Sequence, residues 1–500
     1  MHNPMRLLLL FTAFILVVFH SVSANADETG GGTIVTIWPL VDYRQSPREG
    51  YSNLSLLGPL IKVQKEGGDR ESALRPLFYT TSHADGARDT DYLYPLASTH
   101  RSASSHRLSI LQLFQVNLYR QGEEREDQST TLFPIYFHGS SERYGPYTAI
   151  FPLYGDLYDR FGRDEIHFAL FPLYSRTVKR GTTNRNYLWP FFAQTSGERE
   201  SGFQFWPLYG QGEKEGVYRS RFVLWPFYLS SNSQLNTDQP MRKLTLFPLY
   251  AATDTQTLEE RHYLWPFFGY TNDSSRHLQE RDYLWPFWFT VRGDDIRVTS
   301  ILPLYKNSKN KEFQKQWYLW PVVKIEAIDS PSYRQERFRI LLWLYTDEKE
   351  LWPDDGGERQ RVALWPLFLY RRDSRGVRNF TLPALVEPIL DRPGIEKSWA
   401  PLWRIYAQRW NDRGESALSL VWNLYWHERR PHALAFELFP LVSGHAEATR
   451  GGFRLIKGVI GYDRRQEEKR LILFWLPVIR WGEQQSSAIS SSTGDNGAHD

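Results

Sequence analysis

The sequence contains no cysteine among its 500 residues, so no disulfide bond can stabilise this chain. Exported domains with small cores commonly depend on disulfides. A chain without them must be held together by hydrophobic packing or by an extensive ladder of backbone hydrogen bonds. The absence of cysteine also excludes a cysteine nucleophile and lipid attachment at an N-terminal cysteine.

Long apolar runs are also scarce. The run from Leu7 to Phe19 is too short for a membrane-spanning helix. It follows Arg6 and precedes Ala24-Asn25-Ala26, and these are the three parts of a secretory signal. We therefore predict a signal peptide at residues 1–26, export of the chain, and a flexible mature N-terminus at 27–33. Beyond the signal no stretch of 18 apolar residues occurs, and a closed β-barrel is the remaining way to span a membrane.

The chain has almost balanced positive and negative charge, and it contains no recognisable catalytic motif. Its 60 Lys and Arg and 57 Asp and Glu give a net charge of +3 and are interspersed, so we do not expect a nucleic-acid partner. None of the 13 histidines has zinc-type spacing. Asp294 and Asp295 lie beside a glycine at an expected turn. We predict no enzyme, no catalytic residue, no cofactor and no metal site.

What the sequence has in excess is a repeated segment of the form Leu-Trp-Pro-Phe-Phe, seen clearly at 188–192 and 264–268. Its prolines recur about every 19 residues, so the array from Pro39 to Pro477 holds about 24 copies. The candidate residues of this structural repeat motif are Trp38, Pro39, Pro134, Pro152, Pro172, Trp189, Pro190, Trp206, Pro207, Trp225, Pro226, Pro248, Trp265, Pro266, Trp285, Pro286, Pro303, Trp320, Pro321, Trp365, Pro366 and Pro440.

Each repeat predicts one β-strand, because aromatic and branched residues suit a pleated sheet. Polar clusters such as 272–275 and 307–310 separate the repeats and are typical of turns. The period leaves no room for the crossovers that parallel strands need. We predict an all-β fold, an antiparallel up-and-down meander of about 24 tandem strands at 34–482. A disordered Ser-rich tail is expected at 483–500.

The proline of the motif conflicts with a central strand position, since proline cannot donate a ladder hydrogen bond. It could occupy a bulge in each strand. It could instead mark a corner, with successive hairpins radiating from a ring. The sequence leaves both interpretations open.

Alternation along segments such as Ile166 to Arg176 gives one apolar face and one mixed face, which is typical of membrane barrels. We therefore predict closure as a large β-barrel in the outer membrane, in contact with its lipid. Such a protein would be non-enzymatic and would have a passive transport (porin-like) or envelope structural role.

The alternative is a soluble β-repeat scaffold in the periplasm or at the cell surface, with hairpins radiating from a proline-marked ring. It would bind a partner or glycan through its aromatic side chains, which make up 15% of the chain. Packing explains most of these aromatics, because each one buries a large area. A small solute is a further possible ligand, and the sequence does not indicate the oligomeric state.

Overall fold

The computed structural model describes residues 32–482, apart from 112, 122–124, 142 and 355. The expected signal peptide, most of the expected flexible N-terminus and the Ser-rich tail lie outside these residues. The described chain forms one antiparallel sheet of 46 strands. The all-β antiparallel meander predicted from the sequence is therefore confirmed. No described helix is long and apolar enough to cross a membrane.

The first 37 strands precede a short helical segment. They are β1 (Thr33–Ile37), β2 (Val41–Ser46), β3 (Tyr51–Leu56), β4 (Ile61–Glu66), β5 (Asp69–Leu74), β6 (Phe78–Ser82), β7 (Arg88–Tyr92), β8 (Ala97–Arg101), β9 (Ser105–Ile110), β10 (Phe114–Gln121), β11 (Arg125–Leu132), β12 (Tyr136–Ser141), β13 (Gly145–Ile150), β14 (Tyr154–Arg160), β15 (Arg163–Ala169), β16 (Tyr174–Lys179), β17 (Thr182–Tyr187), β18 (Phe192–Ser196), β19 (Glu200–Phe205), β20 (Tyr209–Lys214), β21 (Tyr218–Val223), β22 (Tyr228–Ser233), β23 (Met241–Leu246), β24 (Tyr250–Asp254), β25 (Leu258–Tyr263), β26 (Phe268–Asp273), β27 (Leu278–Leu284), β28 (Trp288–Arg292), β29 (Ile296–Ile301), β30 (Tyr305–Asn310), β31 (Phe313–Tyr318), β32 (Val323–Asp329), β33 (Arg334–Ile340), β34 (Tyr345–Trp352), β35 (Gly357–Leu364), β36 (Phe368–Arg372) and β37 (Arg378–Leu382).

Two short helices follow, and nine strands complete the sheet. The helices are α1 (Pro393–Ser398) and α2 (Ala400–Trp403), and single 3-10 turns lie at Pro47–Glu49 and Ile456–Gly458. The last strands are β38 (Tyr406–Trp410), β39 (Ser416–Leu420), β40 (Tyr425–Arg430), β41 (Ala433–Leu438), β42 (Val442–Glu447), β43 (Arg450–Leu455), β44 (Ile460–Arg465), β45 (Glu468–Leu473) and β46 (Leu476–Trp481).

Each repeat contributes two short strands rather than one long strand, which is why the sheet has 46 strands and not about 24. The repeat motif reverses the chain instead of running through a strand. Residues 188–191, for example, form the turn between β17 and β18. The motif prolines thus mark corners, as one of the two sequence interpretations proposed, but the hairpins join into a single sheet instead of radiating separately.

The turns of a meander alternate between the two edges of its sheet. Here the described turns from odd-numbered to even-numbered strands carry the motif or a degenerate copy, apart from a helical segment at 383–405, and the described residues of the other turns are mainly polar. We call the first edge the motif edge and the second the polar edge. The short turns of the motif edge are 38–40, 57–60, 75–77, 93–96, 111 with 113, 133–135, 151–153, 170–173, 188–191, 206–208, 224–227, 247–249, 264–267, 285–287, 302–304, 319–322, 341–344, 365–367, 421–424, 439–441, 456–459 and 474–475.

Strand register aligns the sheet in rows parallel to the motif edge. Tyr187, the last residue of β17, pairs with Phe192, which pairs with Phe205, which pairs with Tyr209. We call this line of strand-end residues the first row, and the face on which it lies the outer face. The second residue from the edge points to the inner face, because strand side chains alternate. Most of the buried side chains, such as Phe168, belong to the inner face.

Near the two ends of the sheet, the first strands contact the motif-edge turns at 421–424 and 456–459 through side chains. Trp38 Nε1 donates to Val421 O over 2.8 Å, and Asn423 Nδ2 donates to Asp42 Oδ2 over 3.1 Å. Lys457 Nζ donates to Thr36 O over 2.6 Å. Backbone pairing does not close the sheet, however, because β1 pairs with β2 alone and β46 with β45 alone within the described residues. The barrel predicted from the sequence is thus not closed by hydrogen bonds.

The helical segment at 383–405 replaces one turn of the motif edge and joins the two ends of the sheet. Arg75 Nε donates to Lys397 O over 2.7 Å, and Trp399 Nε1 donates to Tyr94 O over 2.7 Å. The side chain of Glu387 is fully buried and lies within 3.4 Å of Arg404 Nη2. These contacts fix the inner faces of the early and late strands opposite each other.

Candidate functional site

Several turns of the motif edge combine a left-handed leucine with a cis-proline, as residues 188–191 show. Leu188 has a φ of 49°, the Trp189–Pro190 peptide bond is cis, and Phe191 N donates to Leu188 O over 2.8 Å. A positive φ is uncommon for leucine because of steric hindrance, and glycine adopts it freely. The same left-handed leucine recurs at Leu57, Leu93, Leu111, Leu170, Leu224, Leu264 and Leu319. Backbone conformation therefore does not explain why leucine occupies this position.

Neighbouring turns are hydrogen-bonded to one another, so the ladder of the sheet continues along the motif edge. Trp189 N donates to Pro172 O over 2.8 Å, and Leu188 N donates to Leu173 O over 2.8 Å. Proline lacks an N–H, yet its carbonyl oxygen accepts from the next turn. This arrangement allows a proline in almost every repeat without interrupting the sheet.

Aromatic rings contact one another along the motif edge in two lines. Within the turns, the aromatic residue before one proline packs against a ring of the next turn. These ring centroids lie 5.8 Å apart for Phe171 and Trp189, and 5.6 Å for Trp206 and Trp225. In the first row the closest pairs are Phe192–Phe205 at 4.8 Å, Tyr305–Tyr318 at 5.4 Å, Tyr174–Tyr187 at 5.5 Å and Tyr250–Tyr263 at 5.6 Å. Tyr283, at the bulge next to the end of β27, lies 4.9 Å from Trp288.

These apolar side chains are exposed despite their contacts. Trp189 is 52% exposed, Leu188 48% and Phe227 58%. At each of the 46 strands, the residue next to the motif edge is apolar or aromatic. Globular proteins rarely expose a contiguous apolar patch of more than a few hundred Å². The motif edge is therefore the candidate functional site.

The structure places every predicted motif residue at this site. All 14 of the predicted prolines follow a cis peptide bond in a turn of the motif edge, and the eight predicted tryptophans lie directly before such prolines. The sequence prediction omitted Pro76, Pro95 and Pro383, which share the cis bond, and the leucines of the turns. The spacing of Pro76 and Pro95 within the repeat could have revealed them, although their flanking residues are less regular.

Polar side chains begin close behind the apolar layer. On the inner face the second strand residue, counted from the motif edge, is often already polar, as at Asn186 and Gln204. On the outer face the third strand residue is often the first polar one, as at Arg185. The polar edge carries ionic contacts. Glu200 accepts from Lys214 Nζ over 3.0 Å and from the Tyr218 hydroxyl over 2.8 Å. The molecule is therefore amphipathic from one edge to the other.

These polar-edge contacts hold Glu200 in its charged form. Burial by itself raises the pKa of Glu200, but hydrogen bonds from Lys214, Thr182 and Tyr218 lower it below its usual value of 4.5. Burial, together with the hydrogen bond to Glu200, raises the pKa of Tyr218 to about 12. At neutral pH the pair is therefore a carboxylate and a phenol, an arrangement suited to contact with water.

A second feature is a cavity of about 530 Å³ on the inner face, between β2–β3 and β36–β39. Asn53 and Asn379 line it, and the Oδ1 atom of Asn53 is buried without a hydrogen-bond partner. Arg44 also lines it and forms an ion pair with Asp42 at 3.0 Å. Arg371, Arg404, Arg409 and Glu396 line it as well, so the cavity offers both amide and charged groups to a polar ligand.

The described ranges contain no grouping of three or more His, Cys, Asp or Glu side chains placed to bind a metal ion. Comparison with known proteins assigns no family, since no protein-family model matches the chain. No curated protein sequence matches it significantly. The function proposed below is therefore argued from the geometry and chemistry of this chain.

Proposed function

We propose that the protein is a non-enzymatic structural component of a cell envelope, and that its motif edge inserts into a lipid surface. The observation that carries this proposal is the apolar residue at the motif-edge end of each of the 46 described strands, together with the largely exposed apolar turns between them and the polar residues behind them. Tyrosine and tryptophan are enriched at the interface between hydrocarbon and water, where an apolar ring can sit beside a polar atom. The first row and the turns supply both residues repeatedly.

The length of the motif edge favours a lipid surface over a protein partner. With strands about 4.8 Å apart, the 46 strands give an edge on the order of 200 Å long. A typical protein interface covers only about 800 Å² on each partner. A long series of apolar turns of similar composition matches an extended surface better than one bound protein.

The depth of the apolar layer favours insertion into one side of a membrane. A turn and one or two strand residues, at about 3.3 Å each, form a layer about 10 Å deep. Elements that lie in the membrane interface insert to a depth of about 5–10 Å. The polar remainder of each strand would then stay in water.

A spanning barrel fits the strands less well than edge insertion does. The strands have five to eight residues, whereas a tilted spanning strand needs about 9–11. A closed barrel also requires tilted strands with a staggered register, but the first row stays level with the edge from hairpin to hairpin. The proposal therefore keeps the envelope structural role expected from the sequence. Passive transport would need a closed pore and stays a prediction.

The test uses the purified full chain without detergent and flotation with phosphatidylcholine vesicles. Leu224→Asp/Leu264→Asp adds two charges at the motif edge, and aspartate tolerates the left-handed backbone there. The matched control, Asn236→Asp/Gln256→Asp, adds two charges in exposed loops of the polar edge.

Wild type and control should float with the vesicles, and the motif-edge variant should bind at least about tenfold more weakly, because two leucine insertions are lost. A wild-type chain that stays soluble and does not float would contradict the proposal. So would equal binding by the two variants.

The inner-face cavity supports a second candidate function, a scaffold that binds a glycan. Its amide lining and buried Asn53 Oδ1 offer hydrogen bonds to hydroxyl groups. Calorimetry with neutral oligosaccharides should detect binding that Asn53→Ala weakens by about tenfold or more, since a hydrogen-bonding group left unpaired in the complex costs about 1–3 kcal/mol. Absence of binding to the wild type would exclude this candidate.

A further inference from the structure

The inner face of β30–β34 carries more positive than negative charge. Strand register places Lys306 opposite Trp317, Trp317 opposite Lys324, and Lys324 opposite Arg339. Lys315 and Arg337 lie in the next inner row, on either side of Glu326. We call this group the cationic patch, and its charged members are Lys306, Lys315, Lys324, Arg337, Arg339, Glu326 and Glu348.

Two carboxylates balance only part of the charge of the five cations. Glu326 lies 2.6 Å from Lys324 Nζ and 3.8 Å from the nearest nitrogens of Lys315, Arg337 and Arg339. Four cations therefore share one carboxylate. The second carboxylate, Glu348, accepts from Arg337 Nε over 2.9 Å. The patch keeps an excess of positive charge, although it is half-buried.

Lys306 has no ion pair or hydrogen bond with another side chain among the described residues, and its ammonium lies 5.2 Å from the centroid of the Phe289 ring. Burial, with repulsion from Lys315, lowers the pKa of Lys306 below 10.5. Burial also lowers the pKa of Lys324, and its hydrogen bond to Glu326 does not fully offset this effect. A bound anion would stabilise the charged form of both lysines.

The position of the patch indicates where such an anion would come from. Lys306 follows Tyr305, Lys324 follows Val323, and in each case the preceding residue belongs to the first row of the motif edge. These lysines therefore lie one residue behind the apolar layer. With the motif edge in lipid, they lie at the depth of the headgroups.

We propose that the cationic patch binds the phosphate group of an anionic lipid headgroup at the motif edge. This inference rests on the proposed insertion of that edge into lipid. Phosphate fits the patch because its charge is spread over several oxygens, which can accept from two lysines and Arg339 at once. Trp317, with the Lys324 ammonium 5.0 Å from its ring centroid, provides an aromatic surface beside the bound group.

The test compares vesicles of phosphatidylcholine alone with vesicles that also contain phosphatidylglycerol. The patch variant is Lys306→Gln/Lys324→Gln. The matched control, Lys309→Gln/Lys349→Gln, removes two exposed lysines from β30 and β34, on the outer face and farther from the edge. Inorganic phosphate is added separately, and the melting temperature of each protein is recorded.

Wild type and control should prefer the anionic vesicles. The patch variant should bind them about 30-fold more weakly, since each basic residue near an anionic surface contributes about fivefold. It should bind phosphatidylcholine vesicles as the wild type does. Because the substitutions remove like charges that repel each other, the variant should fold with an undiminished melting temperature.

Three results would overturn the inference. The wild type could show no preference for anionic vesicles, or the patch variant could keep that preference. In the third result, the wild type shows no preference for anionic vesicles, but inorganic phosphate raises the melting temperature of the wild type and not that of the patch variant. This result would assign the patch to free phosphate. Equal binding to both kinds of vesicle would leave the proposed function intact, whereas failure to bind either kind would contradict the proposed function itself.

Discussion

At the scale of single residues, the left-handed leucine that opens several of the motif-edge turns is the most informative. Leu188 and its counterparts adopt a backbone conformation that glycine accepts more readily, and they expose about half of their side chains. A residue selected for folding alone would be expected to be glycine or asparagine at this φ. The leucine is better explained by what its exposed side chain contacts outside the chain.

Replacing Leu188 and Leu264 with glycine should therefore separate stability from function. The loss of a half-exposed side chain and the relief of the left-handed conformation oppose each other, so the free energy of unfolding should change by less than about 1 kcal/mol. Vesicle affinity should fall at least about tenfold. Urea unfolding and flotation measure the two effects, and a loss of stability above about 2 kcal/mol would assign the leucines to folding instead.

A second prediction concerns His262 on the inner face, whose Nε2 lies 2.8 Å from Glu260 Oε1. This hydrogen bond raises the pKa of His262 above 6.5 despite partial burial, with help from the charges of Asp282 and Glu280. The folded state holds the proton more tightly than the unfolded chain does. The resulting stabilisation is complete below pH 6.5 and is lost as pH rises through the raised pKa.

Unfolding midpoints measured across this range should fall with rising pH in the wild type and fall less in His262→Gln. Burial also raises the pKa values of Asp282 and Glu280. Their ionisation therefore also lowers stability as pH rises, but over a lower pH range than the titration of His262. The comparison of variant with wild type isolates the histidine. Identical pH profiles would show that His262 gains no proton affinity on folding.

At the scale of elements, the hairpin is the repeating unit, and it explains how much the sequence could predict. Repeat spacing, strand-forming residues and polar turns predicted the antiparallel meander and the residues of the motif edge. The strand number was wrong because Leu-Trp-Pro-Phe resembles strand sequence in composition. The cis bond before Pro190 could not be predicted from the residue types, because most bonds before proline are trans. The left-handed conformation of Leu188 could not be predicted either, because leucine rarely adopts a positive φ.

Close packing between hairpins gives an element-level prediction with a matched control. A Cβ atom on Gly155 would lie 2.2 Å from Ala149 Cα in the neighbouring strand, whereas a Cβ atom on Gly212 would meet only ordinary contacts from 3.5 Å. Gly155→Ala should therefore destabilise the sheet by about 1–3 kcal/mol. Gly212→Ala should be neutral or slightly stabilising. Hydrogen exchange of β13 and β14 and urea unfolding would show the difference, and equal stabilities would contradict the described register.

At the scale of the whole molecule, side chains rather than backbone pairs bring the ends of the sheet together. Asp42 and Asn423, separated by 381 residues, are joined by a hydrogen bond of 3.1 Å. The contact curves a very long sheet back on itself and turns its inner face inwards.

The natural absence of cysteine makes this curvature simple to test. Asp42→Cys/Asn423→Cys should react with a short bifunctional thiol reagent within one chain and should migrate faster in a denaturing gel. The control pair Asp42→Cys/His277→Cys, with one thiol at the polar edge of the central hairpins, should not cross-link. If Asp42→Cys/Asn423→Cys did not cross-link, these two parts of the sheet would not be in contact in solution.

The orientation of the sheet on lipid is the central claim, and two labels at opposite ends of β25 test it most directly. Leu264→Cys lies on the motif edge and Gln256→Cys on the polar edge, and each would carry an environment-sensitive fluorophore. On addition of vesicles, the emission from position 264 should shift to the blue, and the emission from position 256 should stay unchanged. An unchanged spectrum at 264, or the same shift at both positions, would contradict insertion of the motif edge into lipid.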